Sequence, residues 1–243
     1  MREPQNGSAV KRDKYSYHVI RKNKHFVLNG IGQDTLVDFQ DRQFQTPASF
    51  VREILDHYLE AKGQKFAGHP VREILRNRLP ASLKQAVLMD DRFLIRGSAG
   101  LTAWTHCPWI VIMDREVTKS PKRGLYVALL FRADMTGFYV SLDHGVADTR
   151  AIYKSKTAEV LERRTERLRR ILEQPPEGFS FASPALKAPP KSDGALYPQA
   201  TIVSKFHSSK DQIDNAAIVA DVSSALEAYS VLIEGGGEGI LRV

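Results

Sequence analysis

Residues 93–145 read FLIRGSAGLTAWTHCPWIVIMDREVTKSPKRGLYVALLFRADMTGFYVSLDHG and contain a close succession of apolar runs. Four runs of apolar or β-branched residues stand here, each bounded by Gly, Pro, Asp or Lys: Phe93–Ile95, Trp109–Met113, Leu125–Phe131 and Phe138–Leu142. Runs of this kind are typical of β-strands. Because short connections separate them, we expect antiparallel neighbours in one sheet that forms the core.

Helical patterns stand on both sides of this sheet in the sequence. Thr46 and Pro47 form a helix start signal, because a hydroxyl caps the first turn and proline fits the first helical position. The predicted helices are 47–63, a segment from Pro70 that Pro80 ends, 81–88, 151–172 and one that begins after Asp211 or Asp214. A further strand is predicted at 200–206. The sequence therefore predicts an α+β fold: a curved, mostly antiparallel sheet or open pseudo-barrel flanked by helices.

The chain divides by composition into three parts. Residues 1–45 are a basic N-terminal extension, in which residues 15–28 have the pattern of a hairpin that either lies along phosphates or forms a solvated edge. Residues 46–234 form the main domain. This domain includes a Pro-, Ser- and Ala-rich loop at 174–195, which we predict to be mobile. Residues 235–243 form a Gly-rich tail.

Charge and cysteine content restrict the class of protein. The chain has 243 residues, with 35 Lys and Arg against 28 Asp and Glu, and a formal net charge of +7. This balance favours an anionic partner such as nucleic acid, and the alternative is a basic surface that binds no partner. Cys107 is the single cysteine, which excludes an internal disulfide and favours a reducing cytoplasm.

The motifs of common catalytic centres are missing from the sequence. It contains neither a GxxxxGK[ST] phosphate loop nor a GxSxG elbow, and its seven histidines lack metal-ligand spacing. We predict no catalytic residue, no metal and no cofactor. Two alternatives stay open: a nuclease with an atypical metal site built on Asp90, Asp91 and Asp114, or a protein-interaction domain of a defence system.

Several elements in a fixed order resemble a known family. They are the loop Gly97-Ser98-Ala99-Gly100, Trp104, Pro108-Trp109 and Gly124-Leu125-Tyr126. Their order is similar to that of the N-terminal DNA-binding domain of McrB-type type IV restriction enzymes, which reads modified bases. The resemblance extends from about Ser49 to Phe206. It implies a non-catalytic reader of 5-methylcytosine-like bases in double-stranded DNA, with a AAA+ GTPase motor and a nuclease subunit as partners.

The resemblance also implies a set of base-contacting residues. A flipped base would lie among Trp109, Tyr126, Leu130 and Tyr197, and stacking on an aromatic ring contributes about 1–3 kcal/mol per base. Four residues would form a loop that probes the duplex: Ser98, Gly100, Leu101 and Thr102. Leu101 stands where the family pattern can carry an aromatic residue. A leucine can fill the gap left by a flipped base, but it stacks poorly.

The predicted helix 151–172 carries an excess of arginine on its polar face. Arg163, Arg164 and Arg167 are our candidates for phosphate contact, since guanidinium groups bind phosphate oxygens independently of base sequence. The opposing interpretation is a solvated helix face, because Glu159 and Glu166 stand four residues before Arg163 and Arg170 and can form ion pairs with them.

Overall fold

The computed structural model describes residues 45–241, so the predictions for residues 1–44 lie outside the described residues. Its centre is a five-stranded antiparallel sheet in the order β1-β2-β3-β4-β5. The strands are β1 Phe93–Ser98, β2 Trp109–Asp114, β3 Leu125–Phe131, β4 Gly137–His144 and β5 Thr201–Ser208. The sheet is open, and helices flank it, which confirms the α+β fold.

Alternation along the strands gives the sheet two different faces. On β3, Val127 and Leu129 pack into the main hydrophobic core, whereas Tyr126, Ala128 and Leu130 belong to a second, smaller cluster on the opposite face. Successive side chains of a strand point to opposite sides, which explains this division. All seven residues of β3 are buried, so its sequence is apolar throughout instead of alternating.

Helices cover the main core face. These are α1 Pro47–Ala61, α2 Pro70–Glu73, a π-helical turn Ile74–Arg78, α3 Leu79–Ala86 and α7 Asn215–Glu234. Thr46 caps α1 by accepting a hydrogen bond from the Ser49 amide at 3.2 Å, as its sequence predicts. Asp214 caps α7 in the same way through the amides of Ala216 and Ala217.

Pro80 does not end the helix that begins at Pro70, contrary to the sequence prediction. The chain continues through the π-helical turn into α3, and Pro80 lies in the first turn of α3. The Leu79 amide bonds to the Ile74 carbonyl, a spacing of five residues. This wider turn changes the pattern of backbone hydrogen bonds just before Pro80, which has no amide hydrogen to donate. The chain is therefore continuously helical from Pro70 to Ala86.

The predicted helix 151–172 is two helices. They are α4 Ala147–Tyr153 and α5 Thr157–Leu172, joined by the short 3₁₀ turn Lys154–Lys156. Lys154 has φ of 49°, a left-handed conformation that ends α4. Neither glycine nor proline marks this position, so the sequence pattern holds no signal for the break.

Helix α7 is long and apolar enough to cross a membrane by length and composition alone, and half of its most apolar window is buried inside the fold. Its Tyr229 is fully buried and donates a hydrogen bond to the Leu125 carbonyl at 3.1 Å. We therefore interpret α7 as a core helix. Within the glycine-rich tail, Gly237–Leu241 forms a short helix, α8, that contacts α5 and α7.

The long segment 174–195 is held against the sheet at several points. Ser180 and Ser204 pair as an isolated antiparallel bridge, with N···O distances of 2.9 and 3.0 Å in the two directions. Leu186 is buried in the second cluster, and its carbonyl accepts a hydrogen bond from the Ala133 amide at 2.9 Å. The segment leads through a 3₁₀ turn, Asp193–Ala195, into α6, Tyr197–Ala200. Its predicted mobility stays a prediction.

Candidate nucleic-acid interface

A cavity of about 940 Å³ opens on the sheet face that carries the second cluster. Its wall includes all four residues predicted to form a base pocket: Trp109, Tyr126, Leu130 and Tyr197. The probing loop contributes Ser98, Gly100 and Leu101 to the same wall. Thr102, the fourth predicted loop residue, is exposed and does not line the cavity.

Strand register and one helix start bring the aromatic groups together. Trp109 opens β2 directly opposite Leu130 of β3, so the two share a face. Tyr126 lies four residues before Leu130 and therefore points the same way. Tyr197 comes from a distant part of the chain, at the first position of α6, and packs against the same cluster. The cavity wall thus combines three aromatic rings with one leucine.

Both tyrosines of the wall are held as neutral phenols. Burial raises the pKa of Tyr197 to about 12, the charges of Cys107 and Asp143 act in the same direction, and a hydrogen bond with Trp109 opposes them. Burial also raises the pKa of Tyr126 well above its ordinary value. The Tyr126 hydroxyl lies 3.4 Å from the His144 carbonyl, to which it donates a long hydrogen bond. The aromatic surface is therefore uncharged at neutral pH.

The probing loop is fixed at its base and exposed at its tip. The Tyr58 hydroxyl lies 3.3 Å from the Ala99 carbonyl and 3.0 Å from the Thr105 carbonyl, and the Thr105 amide bonds to the Ala99 carbonyl at 2.8 Å. Gly100 has φ of 120°, and a Cβ there would lie 1.9 Å from the Ala103 carbonyl oxygen, so only glycine fits. Leu101, at the tip, is 91% exposed.

Two other residues near this loop are packing residues. Trp104 stands among three rings in edge-to-face contact, those of Tyr58, Phe66 and His69. Cys107 is buried, and burial raises the pKa of its thiol to about 12, which leaves it protonated and unreactive.

Five basic residues that the sequence reasoning did not single out as a group line the cavity. They are Arg76, Arg96, Lys122, Arg150 and Lys154, and all are exposed. We call them the cationic rim. They come from four separate segments, with Arg150 and Lys154 four residues apart at the end of α4, so no single run in the sequence reveals the whole group. Arg150 forms an ion pair with Asp193, which leaves a net positive charge around the mouth.

The predicted phosphate-contacting arginines of α5 do not line this cavity. Arg163 and Arg167 are exposed, and Arg163 lies 3.7 Å from Glu159 in the expected i,i+4 pair. Arg164 requires a correction, because it is only 9% exposed and donates a hydrogen bond to the Thr149 hydroxyl at 2.8 Å. It therefore tethers α5 to α4. Phosphate contact stays a prediction for Arg163 and Arg167.

A carboxyl group that the sequence reasoning missed also lines the cavity. Asp143 is 3% exposed and stands directly opposite Tyr126 in the register of β3 and β4. Its two oxygens accept hydrogen bonds from the Ser141 hydroxyl at 2.5 Å and the Thr201 hydroxyl at 2.6 Å. Burial raises the pKa of Asp143 to about 7, and the two hydroxyls oppose this shift. A single aspartate at a strand end carries no motif that would have revealed it.

The three aspartates of the nuclease alternative each have a different hydrogen-bond partner. Asp91 accepts a hydrogen bond from Lys84 at 2.6 Å, and Asp114 accepts one from Arg92 at 2.6 Å. Asp90 caps a turn by accepting from the Arg92 amide at 2.9 Å. Within residues 45–241, no group of three or more His, Cys, Asp or Glu is arranged to hold a metal ion.

Comparison with known proteins gives the chain a family. Residues 53–234 match the family described as "MrcB-like, N-terminal domain". The chain belongs to this family. The match covers most of the chain and confirms the resemblance to the N-terminal domain of McrB-like restriction proteins. A search of curated proteins gave no match.

Proposed function

We propose that this MrcB-like domain binds double-stranded DNA that contains a modified cytosine and holds the modified base, flipped out of the helix, in its cavity. The observation that carries the proposal is the convergence of Trp109, Tyr126, Leu130 and Tyr197 on one cavity beneath the cationic rim. A protein that encloses one base of a duplex in a pocket must extrude it, and flat apolar groups then replace its stacking neighbours.

The size and chemistry of the cavity support this proposal. Its volume of about 940 Å³ lies near the upper end of the roughly 300–1,000 Å³ typical of small-ligand sites, and so accommodates a base. Each base–aromatic contact contributes about 1–3 kcal/mol. A methyl group placed against Leu130 or an aromatic ring adds on the order of 1 kcal/mol, which corresponds to about fivefold in affinity.

The charges support DNA as the polymer. Phosphate contacts supply affinity without sequence information, and the cationic rim places them around the mouth of the cavity, where an extruded nucleotide's own phosphates would lie. Leu101 extends from the pinned loop beside the same mouth and fits the role of an apolar wedge that fills the space of the missing base.

We propose further that the domain is a recognition part without a catalytic centre, acting in the cytoplasm. The family context favours a AAA+ GTPase motor and a nuclease subunit as its partners in a restriction system. In that arrangement the reader selects the DNA and the partners cleave it.

The test is binding of matched duplexes with cytosine or 5-methylcytosine at one position, measured by fluorescence anisotropy at 50 and 200 mM salt. We expect about fivefold tighter binding of the methylated duplex. If six phosphates are neutralised, affinity for both duplexes falls by roughly a thousandfold between the two salt concentrations.

Three results would contradict the proposal in different ways. Affinity that does not change with salt would remove nucleic acid as the partner. Salt-sensitive binding with equal affinity for both duplexes would leave a DNA-binding domain that does not read this modification. Cleavage of either duplex in the presence of Mg²⁺ would favour the nuclease alternative.

A further inference from the structure

Asp143 is an unusual group to find in the wall of an apolar cavity. Within residues 45–241 no lysine, arginine or histidine forms an ion pair with it, so its charge is opposed only by the hydroxyls of Ser141 and Thr201. Burying a carboxylate without a cation is unfavourable, and most buried carboxylates are paired. The other acid in the wall, Asp193, is exposed and paired with Arg150.

Asp143 also has unused acceptor capacity. An ionised carboxylate offers about four lone-pair positions, and the two hydroxyls occupy one on each oxygen. These hydroxyls come from β4 and from the start of β5, and they hold the carboxyl group from two sides. The group is thus fixed in orientation while able to accept a further hydrogen bond. A donor on a bound ligand would satisfy it.

We propose that Asp143 accepts a hydrogen bond from the exocyclic amino group of the extruded base, and that this contact makes the pocket select cytosine over thymine. The inference rests on the proposed function of the cavity. Carboxylates are the usual protein acceptors for the cytosine amino group, and flipped bases are commonly read through their Watson–Crick edge.

The distinction from thymine follows from the chemistry of position 4. Thymine carries the same 5-methyl group as 5-methylcytosine, but it has a carbonyl oxygen where cytosine has the amino group. That oxygen would face the lone pairs of Asp143. Neither the thymine oxygen nor the carboxylate oxygen would then have a hydrogen-bond donor. The aromatic rings and Leu130 cannot make this distinction, because stacking and methyl burial are the same for both bases.

The increased pKa of Asp143 is in accord with this role. With a pKa of about 7 the group is ionised above neutral pH, where it can only accept hydrogen bonds, and no permanent cation holds it. Two titratable groups of the cavity wall interact electrostatically with Asp143, the phenols of Tyr126, across the strand pair, and Tyr197, on α6. Both are neutral, so neither competes for the carboxylate as a charged partner.

The central experiment compares, at pH 8 where Asp143 is ionised, two duplexes that contain either 5-methylcytosine opposite guanine or thymine opposite guanine. A mispaired thymine costs less to extrude than a paired cytosine, so a pocket that reads only the methyl group and the ring would bind it at least as well. We expect the wild-type protein to bind the 5-methylcytosine duplex about tenfold to a hundredfold more tightly.

Asp143→Asn changes one carboxyl oxygen into an amino group and keeps the shape. We expect this variant to bring the ratio close to one, because the amide can donate to the thymine oxygen. Asp211→Asn is the matched control, since Asp211 is exposed and outside the cavity wall; it should keep the wild-type ratio. An Asp143→Asn protein that retains the wild-type ratio would overturn the proposal.

A second measurement needs no variant and therefore does not depend on folding. A duplex with 5-methyl-2-pyrimidinone keeps the methyl group, the ring and N3, and lacks only the amino group. We expect wild-type protein to bind it about tenfold more weakly than 5-methylcytosine. Equal binding would overturn the Asp143 assignment.

The two proposals fail in distinguishable ways. If the wild-type protein prefers 5-methylcytosine to cytosine but binds thymine and the pyrimidinone equally well, the pocket stands and Asp143 is not its reader. If it shows no preference for 5-methylcytosine over cytosine, the proposed function itself is wrong.

Discussion

Asp143 and His144 are successive residues of β4, and burial shifts their pKa values in opposite directions. Asp143 faces the cavity, and its pKa is raised from 3.8 to about 7. His144 points to the other face, where its Nε2 lies 3.0 Å from the Thr165 hydroxyl. Burial lowers its pKa from 6.5 to about 4, and the charge of Arg164 acts in the same direction. Both groups are therefore favoured in their neutral forms.

The two shifts have opposite effects on stability. Between about pH 4 and 7 folded Asp143 keeps a proton that the unfolded chain has lost, so its contribution to stability falls as pH rises. Between about pH 6.5 and 4 the unfolded chain protonates a histidine that stays neutral when folded, so the contribution of His144 falls as pH drops. In the wild-type protein these two slopes oppose each other between about pH 4 and 6.5.

Asp143→Asn should remove the contribution of Asp143 to the pH dependence of the free energy of unfolding and leave that of His144. We expect the free energy of unfolding of the variant, relative to wild type, to fall as pH decreases from 7 to 4 at about 1.4 kcal/mol per unit. At pH 8 the variant should be the more stable protein by up to about 4 kcal/mol, because it buries no charge. Urea unfolding at pH 4.5, 6.5 and 8 measures this, and parallel profiles for the two proteins would refute it.

Trp109→Ala and Tyr197→Ala test the stacking wall. Both side chains are only half-buried, so truncation perturbs the core less than it would at the buried Tyr126. Each should lose roughly 1–3 kcal/mol of binding to a 5-methylcytosine duplex. Weak binding to unmodified DNA, which phosphates supply, should persist.

Tyr197→Phe is the control for this pair, because it keeps the ring and removes only the hydroxyl. Thermal unfolding of each variant accompanies the binding curves. A folded Trp109→Ala protein with the wild-type preference for modified DNA would show that Trp109 does not stack on the base.

Leu101→Ala tests the wedge at the loop tip. Since Leu101 is 91% exposed, the change should leave the free energy of unfolding within about 0.5 kcal/mol of wild type. Affinity for the modified duplex should fall, and Leu101→Phe should raise it by restoring a stacking surface. Leu88→Ala, at a residue that is 77% exposed and outside the cavity wall, should change neither.

The cationic rim and the α5 arginines make separable predictions. Arg96→Gln with Lys122→Gln should reduce the slope of log affinity against log salt by about two, since each phosphate contact contributes roughly 0.9. The slope comes from anisotropy titrations at four or more salt concentrations. An unchanged slope would place the phosphates elsewhere.

Arg163→Gln with Arg167→Gln tests the sequence-based phosphate contact on α5. The double variant should weaken binding of modified and unmodified duplexes by the same factor, because neither residue lines the cavity. A loss confined to the modified duplex would show that α5 takes part in reading the base.

The sheet was predictable because its strands are apolar runs with clear boundaries. The base-contacting set of Trp109, Tyr126, Leu130 and Tyr197 followed from the family resemblance, and strand periodicity is in accord with Tyr126 and Leu130 sharing a face. Two helix boundaries were not predictable. The π-helical turn before Pro80 and the left-handed Lys154 depend on tertiary packing, which overrides local helix signals.

Much of the polar chemistry of the cavity was also beyond the sequence. Arg76 and Lys154 are far apart in the chain, and only the packing of separate elements places both at one mouth. Asp143 looks like any aspartate at the end of a strand. Its proposed role depends on the absence of a nearby cation among residues 45–241, and sequence spacing does not report what a side chain lacks.

Because the probing loop is fixed only at its ends, the residues that hold it in place differ from the residues that are exposed for contact with DNA. Tyr58 and the Ala99–Thr105 backbone pair fix the ends of the loop, while residues 101–103 have exposed side chains and contribute little to the core. Substitutions at these three positions can therefore accumulate with small effects on folding. Selection on this short segment can retune how the domain inserts into DNA, and directed evolution of specificity is best started there.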